Sequence, residues 1–424
     1  MGRTSGGALF GRLCAVVLAG VLVASILAPP KAVAGPPDHR AAHELVSGLT
    51  LIRLRWDDAP VRAFVLRIDL TSDVTSEVAL GRPAYPALSA SVADIAARSD
   101  AVAAVNGDFG DYRPLGPFVH DGRVVQSGLQ SEAVLAISAD RSAAFVGRPR
   151  LRSYVVADGS RVALDAWNSG PPSGDEIVAF SSVGGLLEMP PARGCSVRLE
   201  RATRGHWTPD LSGVETRFRV AEVTCGTSPR VGSKDVVLTA LRQGGSASFL
   251  RSLGPGDTVR VGWRARWAGV ADMQGGGPVL LDHGRVVVPS PCPGILCLRH
   301  PRTGLGVSEG CEDERPETRC VLFYVVVDGR QSGWSLGMTL QAFARLMRRV
   351  GASSAINLDG GGSSTMAVNG EVVNRPSLGN ERPVPAAFLV LRRSDPDEAW
   401  LTDALTLPRW AYGLRSHLAD RWTR

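Results

Sequence analysis

Lysine is nearly missing from this chain. Only Lys31 and Lys234 stand among its 47 basic residues, so arginine carries almost all the positive charge. Arginine grips planar anions in a bidentate way, although a high-GC codon bias gives the same composition. The arginines are scattered rather than striped and no nucleic-acid motif occurs, so no nucleic-acid partner is expected. Long apolar runs are missing beyond the first thirty residues, so no later segment is expected to span a bilayer. There is no C-x-x-C spacing or Cys/His cluster, which argues against structural zinc. The seven histidines are dispersed, with no H-E-x-x-H. No G-x-S-x-G elbow exists, which disfavours a lipase-type serine hydrolase. The glycines have no three-residue period, so collagen is excluded.

What is present reads as a folded chain. Its 424 residues allow two to four domains, or one large domain with insertions. Hydrophobic residues make up 44% and charged residues 21%, which is ordinary for globular proteins. Glycine, at 48 residues, is well above the usual share and favours turns and short strands.

Residues 1–34 read as a cleaved signal peptide. Arg3 and Arg12 form a positive region, an apolar run follows from Leu13 to Leu27, and Ala32-Val33-Ala34 fits a cleavage site before Gly35. The run is about 15 residues, short of the roughly 20 that a spanning helix needs. The mature chain is therefore expected to be secreted and extracellular, with no stable membrane span. Removal of Arg3, Arg12 and Lys31 lowers the net charge from +6 to +3. Export also changes how the cysteines read. Cys14 leaves with the leader, and Cys195, Cys225, Cys292, Cys297, Cys311 and Cys320 remain. An even number in an exported chain suggests disulfides, and six allow about 15 pairings. Pairing near neighbours gives Cys195–Cys225, Cys292–Cys297 and Cys311–Cys320.

Residues 35–48 look like a Pro-containing leader of the mature chain. Strand-like runs follow at 49–55 and 61–70. A short helix is expected over 88–98, capped by Ser89 or Ser91, and then a strand over 101–105. Asp121-Gly122 marks a hairpin within 117–126. Residues 133–138 and 143–146 read as further strands. Residues 150–270 hold many short β-like runs between Gly, Pro and Ser. The continuous apolar run 321–327 suits a strand buried on both faces. Leu340, Phe343, Met347 and Val350 recur at helical spacing, with Thr339 as the N-cap and Gly351 as the stop. A strand over 354–358, a hairpin around Asn369-Gly370 and a last strand over 386–392 follow. The expected fold class is α+β, with a mixed β-sheet core, a strand–helix–strand unit near the C-terminus and a β-rich insertion. The expected division is 1–34 signal peptide, 35–149 and 271–392 as two parts of one domain, 150–270 the insertion, and 393–424 a tail of unassigned role.

The strand–helix–strand unit directs attention to two carboxylates. Parallel strands end at the same sheet edge. Asp328 and Asp359 each follow a strand end, so both are expected there, where ligands of open α/β sheets gather. Two carboxylates roughly 5–10 Å apart suit acid and base work at a glycosidic bond. An Asp before Gly after a strand also serves as a plain turn residue. The glycines Gly360, Gly361 and Gly362 let the backbone approach a ligand and offer N–H groups to an anion. Ser363, Ser364 and Thr365 add hydroxyls. No Gly-Lys-Ser/Thr follows, so this is not a Walker loop, and a strand rather than a helix comes next, so it is not a dinucleotide loop. Asn106-Gly107, at another strand end, is either a contributor or a tight turn. Arg302 is a candidate phosphate grip, or a surface arginine.

Ile356-Asn357-Leu358-Asp359-Gly360-Gly361-Gly362-Ser363-Ser364-Thr365 resembles the signature of the phosphodiester glycosidase family. Weaker matches follow the same order: Asn106-Gly107, Gly277-Pro278, Arg302-Thr303-Gly304-Leu305-Gly306, Val327-Asp328-Gly329-Arg330-Gln331, Asn374-Arg375-Pro376 and Glu381-Arg382-Pro383. The resemblance covers about residues 100–130 and 275–392. It departs at Asp108-Phe109-Gly110, where the family has Gly-Gly-Phe-Phe or similar, at Gly304, where Ala is common, and in a Cys-flanked acidic loop at 307–320. The resemblance implies a hydrolase that cleaves the glycosidic bond of sugar-1-phosphodiesters, releasing an N-acetylglucosamine-like sugar and a phosphomonoester. It implies Asp359 as nucleophile or base, with Asp328 as the second carboxylate. Asn106, Gly107, Arg302, Thr303, Arg330, Asn357, Gly360, Gly361, Gly362, Ser363, Ser364 and Thr365 would bind substrate. No cofactor and no metal are expected, and the expected partner is a glycan or sugar phosphodiester. Two other readings stay open: an exported carbohydrate-binding protein without catalysis, and a metal-dependent phosphodiesterase using Asp328 and Asp359.

Overall fold

A computed structural model describes residues 35–82, 89–128, 133–149, 151–181, 194–201, 211, 213–227, 231, 235–265, 269–288, 294, 297–311 and 319–393. The signal peptide, Cys292 and the tail from 394 onward lie outside the described residues. Strands hold 51% of the structure and helices 10%, and three α-helices are present among the described residues. The fold is therefore mostly β, which corrects the α+β expectation. The sheet was also expected to be mixed. Instead every ladder in the sheet carrying the strand–helix–strand unit is antiparallel. The expectation failed because Arg302–Val307 inserts between Val321–Val327 and Ser354–Asn357, antiparallel to both. Local pattern shows a helix between two strands. It does not show that the preceding strand pairs between them.

This first sheet has eight strands, beginning with His39–Val46, Leu49–Trp56 and Val61–Asp69. Residues 39–46, expected as leader, thus form its edge strand. The run Val321–Val327 is buried on both faces because its side chains alternate between two cores. Leu322, Tyr324 and Val326 enter the central core, while Val321, Phe323, Val325 and Val327 face helix Leu340–Val350. That helix is capped by Thr339 Oγ1, which accepts from Ala342 N at 3.2 Å, and it stops at Gly351 in the left-handed region.

Two five-stranded sheets close the central core from the other side. One holds Ala103–Asn106, Met366–Val368 and Ala386–Arg392. The other holds Phe118–His120, Arg123–Gln126, Ala133–Ser138 and Val270–Gly276. Strand Ala133–Ser138 shows the period-2 logic of a doubly covered sheet. Leu135 and Ile137 enter the central core, while Val134 and Ala136 face a second eight-stranded sheet. That second sheet is built entirely from strands between Leu151 and Ala265. Disulfides join Cys195 to Cys225 across a pair of neighbouring strands, and Cys311 to Cys320. Cys297 is also disulfide-bonded.

Candidate active site

The inserted antiparallel strand does not move the two carboxylates off the common edge. Val321–Val327 and Ser354–Asn357 run in the same direction on either side of Arg302–Val307, so Asp328 and Asp359 leave the sheet together. With one strand between them, the strand ends are about 10 Å apart. Strand Ala103–Asn106 of the facing sheet ends at the same place, as its side-chain bonds show.

Asn106 is fully buried and ties three segments together. Its Nδ2 donates to the Asp359 carbonyl at 2.7 Å. Its Oδ1 accepts from Thr303 Oγ1 at 2.8 Å and from Thr365 N at 3.2 Å. The Gly107 carbonyl accepts from Asp359 N at 3.4 Å. A side chain at Gly107 would run into Gln274, whose buried amide has no hydrogen-bond partner among the described residues. Asn357 Nδ2 donates to the carbonyls of Gly277, at 3.1 Å, and Leu358, at 2.7 Å.

Asp359 is the carboxylate at the centre of this cluster. Ser363 Oγ donates to its Oδ2 at 2.6 Å and Arg382 Nη2 at 2.5 Å. Burial pushes its pKa up, Ser363 and Arg382 pull it down, and the negative charge of Asp111 adds an upward push. Sequence reasoning assigned no role to Arg382 or Asp111. Arg382 lies in one of the weak motifs, which was the available signal. Asp111 sits in an exposed loop with no signal of its own.

Asp328 is buried as well, but its oxygens are already engaged. Oδ2 accepts from Trp334 Nε1 at 2.8 Å, Oδ1 accepts from Asn374 Nδ2 at 2.9 Å, and both accept from Arg375 N at 3.0 and 3.1 Å. A carboxylate offers about four acceptor sites, so these contacts fill it. Burial raises its pKa while the same donors pull it down. Asp328 thereby pins the segments 328–335 and 374–375 together.

The triple glycine makes a tight 3₁₀ turn, Gly361–Ser363. Gly361 has φ +61°, and a Cβ there would lie 3.2 Å from both Nη atoms of Arg330. Arg330 is exposed and donates from Nε to His300 Nδ1 at 3.2 Å. The N–H groups of Gly361 and Ser363 donate to the carbonyls of Pro301 and Gly360. Ser364 Oγ and Thr365 Oγ1 are buried hydroxyls with no partner among the described residues. Arg302 lies beneath the loop, 3% exposed, and donates to the carbonyls of Met338 at 2.9 Å and Leu298 at 2.7 Å. Burial, with the positive charge of Arg330, lowers its pKa to about 10.

One group of potential metal ligands stands apart from this edge: His120, Asp121 and Asp272. Arg141 occupies its centre, 2.7 Å from Asp272, 2.6 Å from Asp121 and 3.0 Å from Glu77. His120 Nδ1 lies 2.7 Å from Asp272, and its pKa is raised to about 9. Burial alone would lower it, but the Asp272 bond and the surrounding acids outweigh that. The cluster carries two cations of its own, which fits an ion network rather than a metal centre.

Residues 224–391 match the family model described as NAGPA, phosphodiester glycosidase. The resemblance seen in the motifs is thus shown over that segment. No curated protein matches the chain. Among solved structures, a hypothetical protein from Synechocystis aligns with TM-score 0.68 and 18% identity, covering 84% of this chain and 64% of that one. The chain therefore spans less than two thirds of that relative's length. A protein described as exported, from Burkholderia pseudomallei K96243, aligns with TM-score 0.59 and 25% identity, over 78% of this chain and 74% of that one. The catalytic domain of zebrafish N-acetylglucosamine-1-phosphodiester α-N-acetylglucosaminidase aligns with TM-score 0.43 and 15% identity, over 84% and 88%.

Proposed function

We propose that this edge hydrolyses sugar-1-phosphodiesters at the glycosidic bond, releasing an N-acetylglucosamine-like sugar and a phosphomonoester. The observation that carries the reading is Asp359, a buried carboxylate held by Ser363 and Arg382 beside a glycine turn against which a second arginine, Arg330, packs. The matched family model supports the reaction class. Cleavage needs stabilisation of positive charge at the anomeric carbon, which a carboxylate supplies as nucleophile or as base to water. It also needs stabilisation of negative charge on the departing phosphate. Arg330 and the partly exposed Arg382 flank the 360–363 turn and serve that role in bidentate fashion. A phosphate departs without strong protonation, so a general acid matters less than in ordinary glycosidases. Ser364 and Thr365 hold buried, unpartnered hydroxyls directly behind this turn. Arg302, Asp328, Asn106 and Asn357 orient the loops that carry these groups.

The donors around Asp328 weigh against a metal-dependent phosphodiesterase built on Asp328 and Asp359. Three N–H groups, that of Arg375 shared between both oxygens, suit a carboxylate that is already paired and engage each of its oxygens. Secretion by way of a cleaved leader is part of the same proposal. It is supported by the disulfides and by the exported neighbour from Burkholderia.

The test is to incubate the oxidised protein with an alkyl N-acetylglucosamine-1-phosphodiester and identify the products. Free sugar plus alkyl phosphate, absent with Asp359→Asn, supports the reading. Saturable binding across a glycan panel with no turnover would select the carbohydrate-binding alternative.

A further inference from the structure

A basic groove adjoins the site on the Asp328 side. It is lined by His39, Arg53, Arg55, Arg62, Trp334 and Val373, among others. Its floor follows from strand register. His39 lies opposite Arg55, Arg55 lies opposite Arg62, and the Asp328 N–H donates to the Arg62 carbonyl. Arg53 and Arg55 are two apart on one strand, so both project from the same face. The row therefore runs from the outer edge of the first sheet to the Asp328 loop, about 14 Å over three strand spacings. At its inner end Trp334 donates to Asp328, and the guanidinium groups of Arg62 and Arg375 lie 5.1 and 5.5 Å from its ring centroid.

The charges of this row are not balanced by protein. Arg53 is exposed, with no hydrogen bond or ion pair among the described residues. Arg62 Nη1 is buried and without a hydrogen-bond partner, 3.8 Å from the nearest Asp57 oxygen. Asp57 pairs with Arg55 at 2.8 Å and with His39 at 2.9 Å, and Asp38 is the other acid present. Arg40, Arg53, Arg55 and Arg62 against Asp38 and Asp57 leave a positive track that ends at the candidate active site.

We propose that this groove holds a phosphodiester-linked glycan, with the anionic groups beyond the scissile bond lying along Arg53, Arg55 and Arg62. The substrate is then a polyanionic polymer rather than an isolated sugar phosphodiester. This rests on the glycosidase reading of the adjoining edge. A single-stranded nucleic acid fits less well, because the two aromatic residues of the groove are Trp334, already covered by guanidinium groups, and Phe64, buried in the central core, which make no series of stacking platforms.

The test is titration calorimetry of the full chain carrying Asp359→Asn with an eight-unit poly(glycerol phosphate), at several salt concentrations. The expected result is saturable binding that Arg53→Gln with Arg55→Gln weakens about ten-fold, with the salt slope falling by about 1.5 for two lost cations. Asp57→Asn is expected to strengthen binding two- to three-fold, an effect that misfolding would not produce. Equal affinity with and without the two arginines, or no binding by the folded protein, overturns the proposal. Tighter binding of a single-stranded oligonucleotide with the same phosphate count, at the same arginines, reassigns the groove to nucleic acid. Because this readout needs no turnover, polyanion binding by the variant together with no hydrolysis of the small sugar diester by the protein with Asp359 intact would sink the glycosidase reading alone. Hydrolysis of the small diester without polyanion binding would sink the groove alone.

Discussion

Asn106 donates its side-chain amide to the main-chain carbonyl of Asp359 at 2.7 Å, across 253 residues of sequence. The bond fixes the backbone of the central carboxylate from the opposite sheet, and Thr303 and Thr365 complete the clip. Asn106→Ala removes these bonds and leaves buried partners unmade. It is expected to cost about 2–4 kcal/mol and to lower turnover, read by urea unfolding alongside kcat. Unchanged stability would show that the sheets hold Asp359 without the clip.

The two strand-end aspartates are expected to separate in their effects. Asp328 is saturated by donors from two loops, so Asp328→Asn should lower stability by about 2 kcal/mol, or about 2–3 °C in Tm for a chain of this size. Asp359→Asn should leave Tm within about 1 °C and reduce kcat on the order of 10²–10⁴-fold. Calorimetric scans and kinetics on both variants check this. The reverse pattern would exchange their roles.

The acid limb of activity should follow the charges around Asp359. Burial raises its pKa, so the acting carboxylate is lost as pH falls through a value above the ordinary range for Asp. Arg382 lowers that pKa, so Arg382→Gln is expected to move the limb to higher pH. Asp111 raises it, so Asp111→Asn is expected to move the limb to lower pH. Profiles of kcat/KM read both shifts, and equal limbs in all three proteins would place the titration elsewhere.

Gly304 stands in a close-packed position between strand and helix. A Cβ there would lie 2.7 Å from the Phe343 ring and 2.9 Å from the Ile356 carbonyl, so the helix ring fills the space a methyl would take. Gly304→Ala is expected to cost about 1–3 kcal/mol. Phe343→Leu in the same protein should recover part of it, measured as a coupling in a double-mutant cycle.

Much of the local structure was legible because it is locally determined. Asp121-Gly122 and Asn369-Gly370 turn hairpins with positive φ at both residues, as such pairs allow. Thr339 and Gly351 bound the third helix where capping chemistry places them. The shared edge of Asp328 and Asp359 was also legible, since a crossing helix returns a strand in the same direction. The pairing partner between them was not, because Arg302–Val307, the strand just before Val321–Val327, carries Gly304 and Gly306 and lacks the run of β-branched residues that marks a strand. Nor was the saturation of Asp328, which depends on Trp334 and Asn374 arriving from separate loops. Nor were the bonds that Arg302 donates to the carbonyls of Met338 and Leu298, since both acceptors are main-chain atoms.

The central claim is bond cleavage on the sugar side of the phosphate at Asp359. Hydrolysis of an N-acetylglucosamine-1-phosphodiester in water labelled with oxygen-18, followed by mass spectrometry, tests it most directly. The account predicts label in the released sugar, none in the phosphomonoester, and neither product with Asp359→Asn. Label in the phosphate would contradict it and place the attack at phosphorus.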